Sequence, residues 1–150
     1  MIIAVDFDGT IVEHEYPKIG KPVPYALDVL KKLQQEERHT LLLWTIREGE
    51  LLKEAVDYCS KRGLNFYAVN KNYPEEEDGD NPRKLMADIY IDDKNIGGLP
   101  DWGVIYKTIQ SGNIDFQNID DYMSDNNHKR KRNLFVRLGE ALETAQKYKK

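Results

Sequence analysis

Four short apolar runs, separated by segments long enough to form helices, leave this chain few architectures. They are Ile2-Ile3-Ala4-Val5, Thr40-Leu41-Leu42-Leu43-Trp44-Thr45, Phe66-Tyr67-Ala68-Val69 and Asp88-Ile89-Tyr90-Ile91-Asp92. Runs of this length without polar alternation read as strands covered on both faces, the first over residues 2–6. Pro22 and Pro24 precede Ala26, Leu27, Leu30 and Leu33 at helical spacing, which predicts a helix from about residue 24 to 37, since proline suits a first turn. A second helix, from about 48 to 62, buries Leu51, Leu52, Ala55, Tyr58 and Cys59 and ends at Gly63. A polar loop containing Glu75-Glu76-Glu77-Asp78-Gly79-Asp80 follows, and Pro82 is placed to open a short helical turn. The alternation predicts an α/β fold, a doubly wound parallel sheet with helices on both faces.

At 150 residues the chain reads as one domain with a core that needs no staples. Its net charge of −4 argues against general affinity for nucleic acid, though not against a local basic patch. No stretch has the length of a membrane span, and four apolar residues after Met1 are too few for a secretory leader. Cys59 is the only cysteine, which excludes a disulfide framework and a thiolate metal site. The expected location is cytoplasmic. His14, His39 and His128 share no motif.

Ligands of such sheets bind beyond the carboxyl ends of the strands. Read in order, those ends carry Asp6, Thr45 and the pair Asp92-Asp93, with Asn70 and Lys71 as weaker candidates after the third strand. Asp6 and Asp8 stand two residues apart, and in extended chain that spacing points both to one side. Adjacent anions are costly unless a cation or a shared proton relieves them. Asp6, Asp8, Asp92 and Asp93 therefore read as one oxygen-only cluster suited to Mg²⁺, which binds phosphate oxygens well. Thr45 can donate a hydroxyl hydrogen bond to a phosphoryl group, and Lys84 can balance the acids. Arg47 can bind a phosphate or another anionic group, or pair with Glu48 or Glu50. A carboxylate can serve as nucleophile and a second as acid and base.

Asp6-Phe7-Asp8-Gly9-Thr10 resembles the first motif of the haloacid dehalogenase (HAD) superfamily, Leu42-Leu43-Trp44-Thr45 its second and Ile91-Asp92-Asp93 its fourth. Lys84 is the best match to the third-motif lysine, with Lys71 and Arg83 as rivals. The short interval from Lys84 to Asp93 is similar to that of 5′(3′)-deoxyribonucleotidases. The resemblance covers residues 1–110 and implies a Rossmann-like catalytic domain acting as a Mg²⁺-dependent phosphate monoester hydrolase. By resemblance Asp6 is nucleophile and metal ligand, and Asp8 is general acid/base and lends its carbonyl to the metal. Asp93 is then a direct ligand, with Asp92 behind it or sharing the role. The intervals after Thr10 and between Thr45 and Lys84 leave no room for a cap domain. A capless site is closed by a neighbouring subunit or left open for a large substrate, so a homo-oligomer and a nucleotide or nucleic-acid end as substrate are both possible. A non-catalytic metal- and phosphate-binding or assembly protein is the remaining alternative.

Residues 111–150 read as an extension. Asp101-Trp102-Gly103-Val104-Ile105 suggests one more strand or a structured turn, and residues 112–127 a polar loop. The basic run His128-Lys129-Arg130-Lys131-Arg132 leads into Leu134, Leu138, Ala141, Leu142, Ala145 and Tyr148, the stripe of a terminal amphipathic helix. Packing on the same domain is the favoured role for that helix. A phosphate-backbone contact for the basic run and a dimer contact for the stripe are the alternatives.

Overall fold

The computed structural model describes residues 1–77 and 84–112. Chain contacts divide the protein after Gln110, and Met1–Gln110 is the unit treated below. Its elements run β1 (Ile2–Val5), α1 (Ala26–Gln35), β2 (Thr40–Leu43), α2 (Gly49–Ser60), β3 (Ala68–Val69), β4 (Ile89–Ile91) and α3 (Trp102–Ser111). Every strand pair is parallel, in the order β3-β2-β1-β4. The protein therefore has an α/β fold. The order reverses at β1, with β2 and β3 on one side and β4 on the other, and such a reversal opens a crevice at the strand ends.

Strand alternation sorts the side chains into two cores. Ile3, Val5, Leu41, Leu43 and Ile91 face one side of the sheet, where they meet Ala26, Val29, Leu30 and Leu33 of α1, Ala55 and Cys59 of α2, and Trp102, Ile105 and Ile109 of α3. Spacings of three and four residues put each helical set on one stripe. Burial pushes the Cys59 thiol up to about 12, which makes it a packing residue rather than a reactive one. The opposite face holds Ala4, Leu42, Ala68 and Leu85, flanked by Trp44, Ala87 and Tyr90. Among the described residues no helix packs there, so the helices expected on both faces occur on one. The connection from β3 to β4 is the crossover that would supply the other. Its described parts are irregular, and the turn expected at Pro82 lies outside the described residues.

Asp101-Trp102-Gly103-Val104-Ile105, read from sequence as strand or turn, opens α3 instead. The Asp101 carboxylate accepts the Gly103 N–H at 2.8 Å, and its carbonyl accepts Val104 and Ile105 at 2.9 and 3.0 Å. That side-chain cap satisfies a helix-start donor which would otherwise have no partner. Trp102, Ile105 and Ile109 then fall on one face and are buried. Among the described residues no helix is long and apolar enough to cross a membrane. The basic run 128–132 and the terminal helix lie outside the described residues.

Asp101→Ala should lower stability by about 1 kcal/mol, the usual worth of a side-chain cap. Urea unfolding of the two proteins checks this, and an unchanged midpoint would rule out the cap as a contributor.

Candidate metal and phosphate site

The carboxyl ends of β1 and β4 are tied together beyond the strands themselves. The Asp6 N–H donates to the Ile91 carbonyl at 3.0 Å, extending the ladder by one residue. The chain then bends at Phe7 and closes a turn in which the Ile11 and Val12 N–H groups both donate to the Phe7 carbonyl. Gly9 lies in this turn at φ +95°, where a Cβ would come within 2.4 Å of an Asp93 carboxylate oxygen. The backbone angle favours glycine, and a Cβ there would have to push the Asp93 carboxylate aside. Thr10 is fully buried and joins three elements. Its hydroxyl donates to Asp6 Oδ2 at 3.1 Å and accepts the Asp93 N–H at 3.1 Å, while its carbonyl accepts the Trp102 indole N–H at 3.3 Å.

Asp6, Asp92 and Asp93 converge, each offering an oxygen within 4.8 Å of the others. Asp93 Oδ1 is buried and has no hydrogen-bond partner. Burial, with the charges of Asp92 and Asp93 adding to it, pushes the Asp6 carboxyl up to about 6. Oxygen donors alone, excess negative charge and an orphaned carboxylate oxygen are what a hard divalent cation requires. The residues therefore fit Mg²⁺. Sequence reasoning passed over Lys94, whose ammonium meets Asp93 Oδ2 at 2.6 Å and is itself held more firmly protonated by that hydrogen bond. The signal available was a lysine directly following two acids. Its side chain is 70% exposed, so the pair contributes little to stability.

Asp8 does not join this cluster, although the spacing of Asp6 and Asp8 predicted that it would. The bend after Asp6 ends the extended chain, and with it the rule that alternate residues share a side. The Asp8 carboxylate is instead buried against Arg47, with Arg47 Nε 2.6 Å from Oδ2 and Nη2 2.7 Å from Oδ1. Its carbonyl lies 3.4 Å from His14 Nδ1. Arg47 in turn is fully buried, so it is neither a cation on the rim nor a partner of Glu48 or Glu50.

Thr45 closes the β2 side. Its N–H donates to Asn70 Oδ1 at 2.8 Å and its hydroxyl oxygen accepts the Arg47 N–H at 3.2 Å, which leaves the hydroxyl proton to point elsewhere. Asn70 thus serves as a brace between the ends of β2 and β3, with its own N–H on the Leu43 carbonyl at 2.8 Å. Lys84 is exposed, its ammonium 4.4 Å from the centroid of the Tyr90 ring on the second core face. Of the acidic loop, Glu76 accepts both the backbone and side-chain N–H of Asn72, a structural closure. Arg83 lies outside the described residues, while Lys71 directly follows Asn70.

Asp6 sets the sign of a pH effect. Below pH 3.8 the carboxyl is neutral folded or unfolded. From there to about 6 the folded protein keeps a proton that the unfolded chain has released. Asp6 therefore costs stability increasingly as pH rises through that window. A bound cation reverses the cost by favouring the ionised form. Mg²⁺ should raise the melting temperature clearly at pH 7.5 and much less at pH 5, and equal shifts at both would count against Asp6 as a ligand. Gly9→Ala should weaken the same Mg²⁺-dependent shift by displacing Asp93.

A scan against protein-family models finds no match, and a search of curated proteins finds none either. Among solved structures, the conserved protein coded by a locus from Bacteroides thetaiotaomicron is 61% identical. The match covers 75% of this chain and 91% of that one, with a TM-score of 0.69. At that identity and coverage the two share ancestry as well as fold, and the chain belongs to the family of this conserved Bacteroides thetaiotaomicron protein.

Proposed function

We propose that the protein is a capless phosphatase of the HAD type, a Mg²⁺-dependent phosphate monoester hydrolase working through an aspartyl-phosphate on Asp6. The observation that carries this reading is the meeting of Asp6, Asp92 and Asp93 at adjacent strand ends, where the strand order reverses. An acidic cluster there, with a threonine hydroxyl on the next strand end, matches the needs of phosphoryl transfer, in which a protein mainly positions groups and offsets charge.

In this reading an Asp6 oxygen attacks phosphorus, the ester oxygen departs with a proton from Asp8, and water then cleaves the acyl phosphate while Asp8 takes back a proton. Asp6, Asp92 and Asp93, with the Asp8 carbonyl by resemblance, would hold Mg²⁺, which would supply positive charge to offset the negative charge of the phosphoryl group. Thr10 holds Asp6 in place through its hydroxyl. Thr45 turns its hydroxyl proton toward a phosphoryl oxygen. Both Asp8 oxygens rest on Arg47, so one of them must leave the guanidinium and take up a proton from water before it can give that proton to the substrate oxygen. Lys94 is the cation already touching the cluster. Lys84, favoured by the resemblance, would have to leave the Tyr90 ring to assist.

Asp6→Asn keeps the size and most hydrogen bonds of the side chain but removes the nucleophile. Phosphate release from an aryl phosphate and a nucleotide panel should fall by at least ~10³-fold while the fold survives by circular dichroism. An unchanged rate would sink the mechanism. The nucleotide panel also separates a nucleotide-directed enzyme from one acting on other small phosphate esters.

A further inference from the structure

Arg47 is committed on every side. Four of its five N–H donors are used, two on the Asp8 carboxylate, one on the Pro17 carbonyl at 3.0 Å and one on the Lys18 carbonyl at 2.8 Å. Its guanidinium lies against the rings of Phe7 and Tyr16, 5.1 and 5.4 Å from their centroids. Its backbone N–H rests on the Thr45 hydroxyl. The Pro17 and Lys18 carbonyls belong to a strap that leaves the site turn and returns at its base. There Glu13 N–H meets the Lys21 carbonyl at 2.7 Å and Val23 N–H meets the Ile11 carbonyl at 2.9 Å. The base is tight, because a Cβ on Gly20 would come within 2.0 Å of the Glu13 carbonyl oxygen.

We propose that Arg47 is a positioning residue that sets the Asp8 carboxylate and latches it to the Tyr16–Lys18 strap, so that strap and carboxylate act as one unit. The proposal rests on the reading of Asp8 as the acid and base. A carboxylate with both oxygens on one planar fork is restricted to one orientation, and a point charge such as lysine does not reproduce that restriction. The same fork holds two strap carbonyls, so a strap displaced by substrate loosens Asp8 at the same moment. Arg47 touches no reacting atom in this scheme and acts through Asp8.

The effect should follow the leaving group. An alkoxide needs a proton as it departs and a nitrophenolate does not, so misplacing Asp8 hurts alkyl esters selectively. The test compares full-length wild type, Arg47→Ala and Arg47→Lys on p-nitrophenyl phosphate and on an alkyl phosphate, together with hydrogen exchange across residues 13–22. In Arg47→Ala, kcat/KM for the alkyl ester should fall about tenfold or more beyond the fall for the aryl ester, mainly in kcat. Exchange should quicken in the strap beyond whatever change global destabilisation brings to α1. Arg47→Lys should show both changes to a smaller degree. Equal losses on the two esters overturn the positioning of Asp8, and unchanged strap exchange overturns the latch. If Arg47→Ala does not fold, Arg47→Lys decides, and a wild-type leaving-group ratio with wild-type exchange overturns the proposal. Wild-type protein that hydrolyses neither ester defeats the proposed reaction instead, and the exchange comparison still judges the latch.

Discussion

A carboxylate and a guanidinium buried together, Asp8 and Arg47, hold the working edge of this protein in register. Neither has access to water that would hydrate a lone charge, so each depends on the other. Burying such a pair adds little net stability, but removing one partner costs about 3–5 kcal/mol because the survivor is stranded. The pair joins residues 39 positions apart in sequence, one just past β1 and one just past β2. Through two further hydrogen bonds it fixes the strap, and through its backbone it fixes Thr45.

The two aspartates of the opening motif thereby live under opposite electrostatic regimes. Asp8 has its charge matched by an adjacent cation in a dry setting. Asp6 sits among other acids, and its proton is held to about pH 6 by burial and by those neighbours. Separating two nearby carboxylates in this way is how a site assigns different roles to the same side-chain type. Thr10 is the mechanical link, since its hydroxyl spans Asp6 and the Asp93 backbone and its carbonyl engages the Trp102 indole. The helix-covered core and the acidic cluster therefore meet at one buried hydroxyl residue.

Much of this was legible in one dimension. Strands and helices built from continuous or periodic apolar residues appear at the expected places but shorter, the helices cut to Ala26–Gln35 and Gly49–Ser60, the second strand to Thr40–Leu43 and the third to Ala68–Val69. The acids at the ends of β1 and β4 were found because a parallel sheet aligns all strand ends on one edge. The opening of α3 was missed because its start depends on the Asp101 cap, which competes with a local run of strand-favouring residues. Lys94 was missed because an exposed lysine has no pattern of its own.

Apolar spacing, glycine placement and the order of acids along the chain determined the class of fold and the residues that meet at its edge, because burial and side-chain direction follow local periodicity. Tertiary structure alone decided which acid is paired and which is clustered. The bend after Asp6 turned Asp8 away from its neighbour, and a buried arginine from the next strand end was there to receive it. Long-range electrostatics of that kind has no local period in the sequence. A charge finds its partner only after the sheet has brought the two strand ends together.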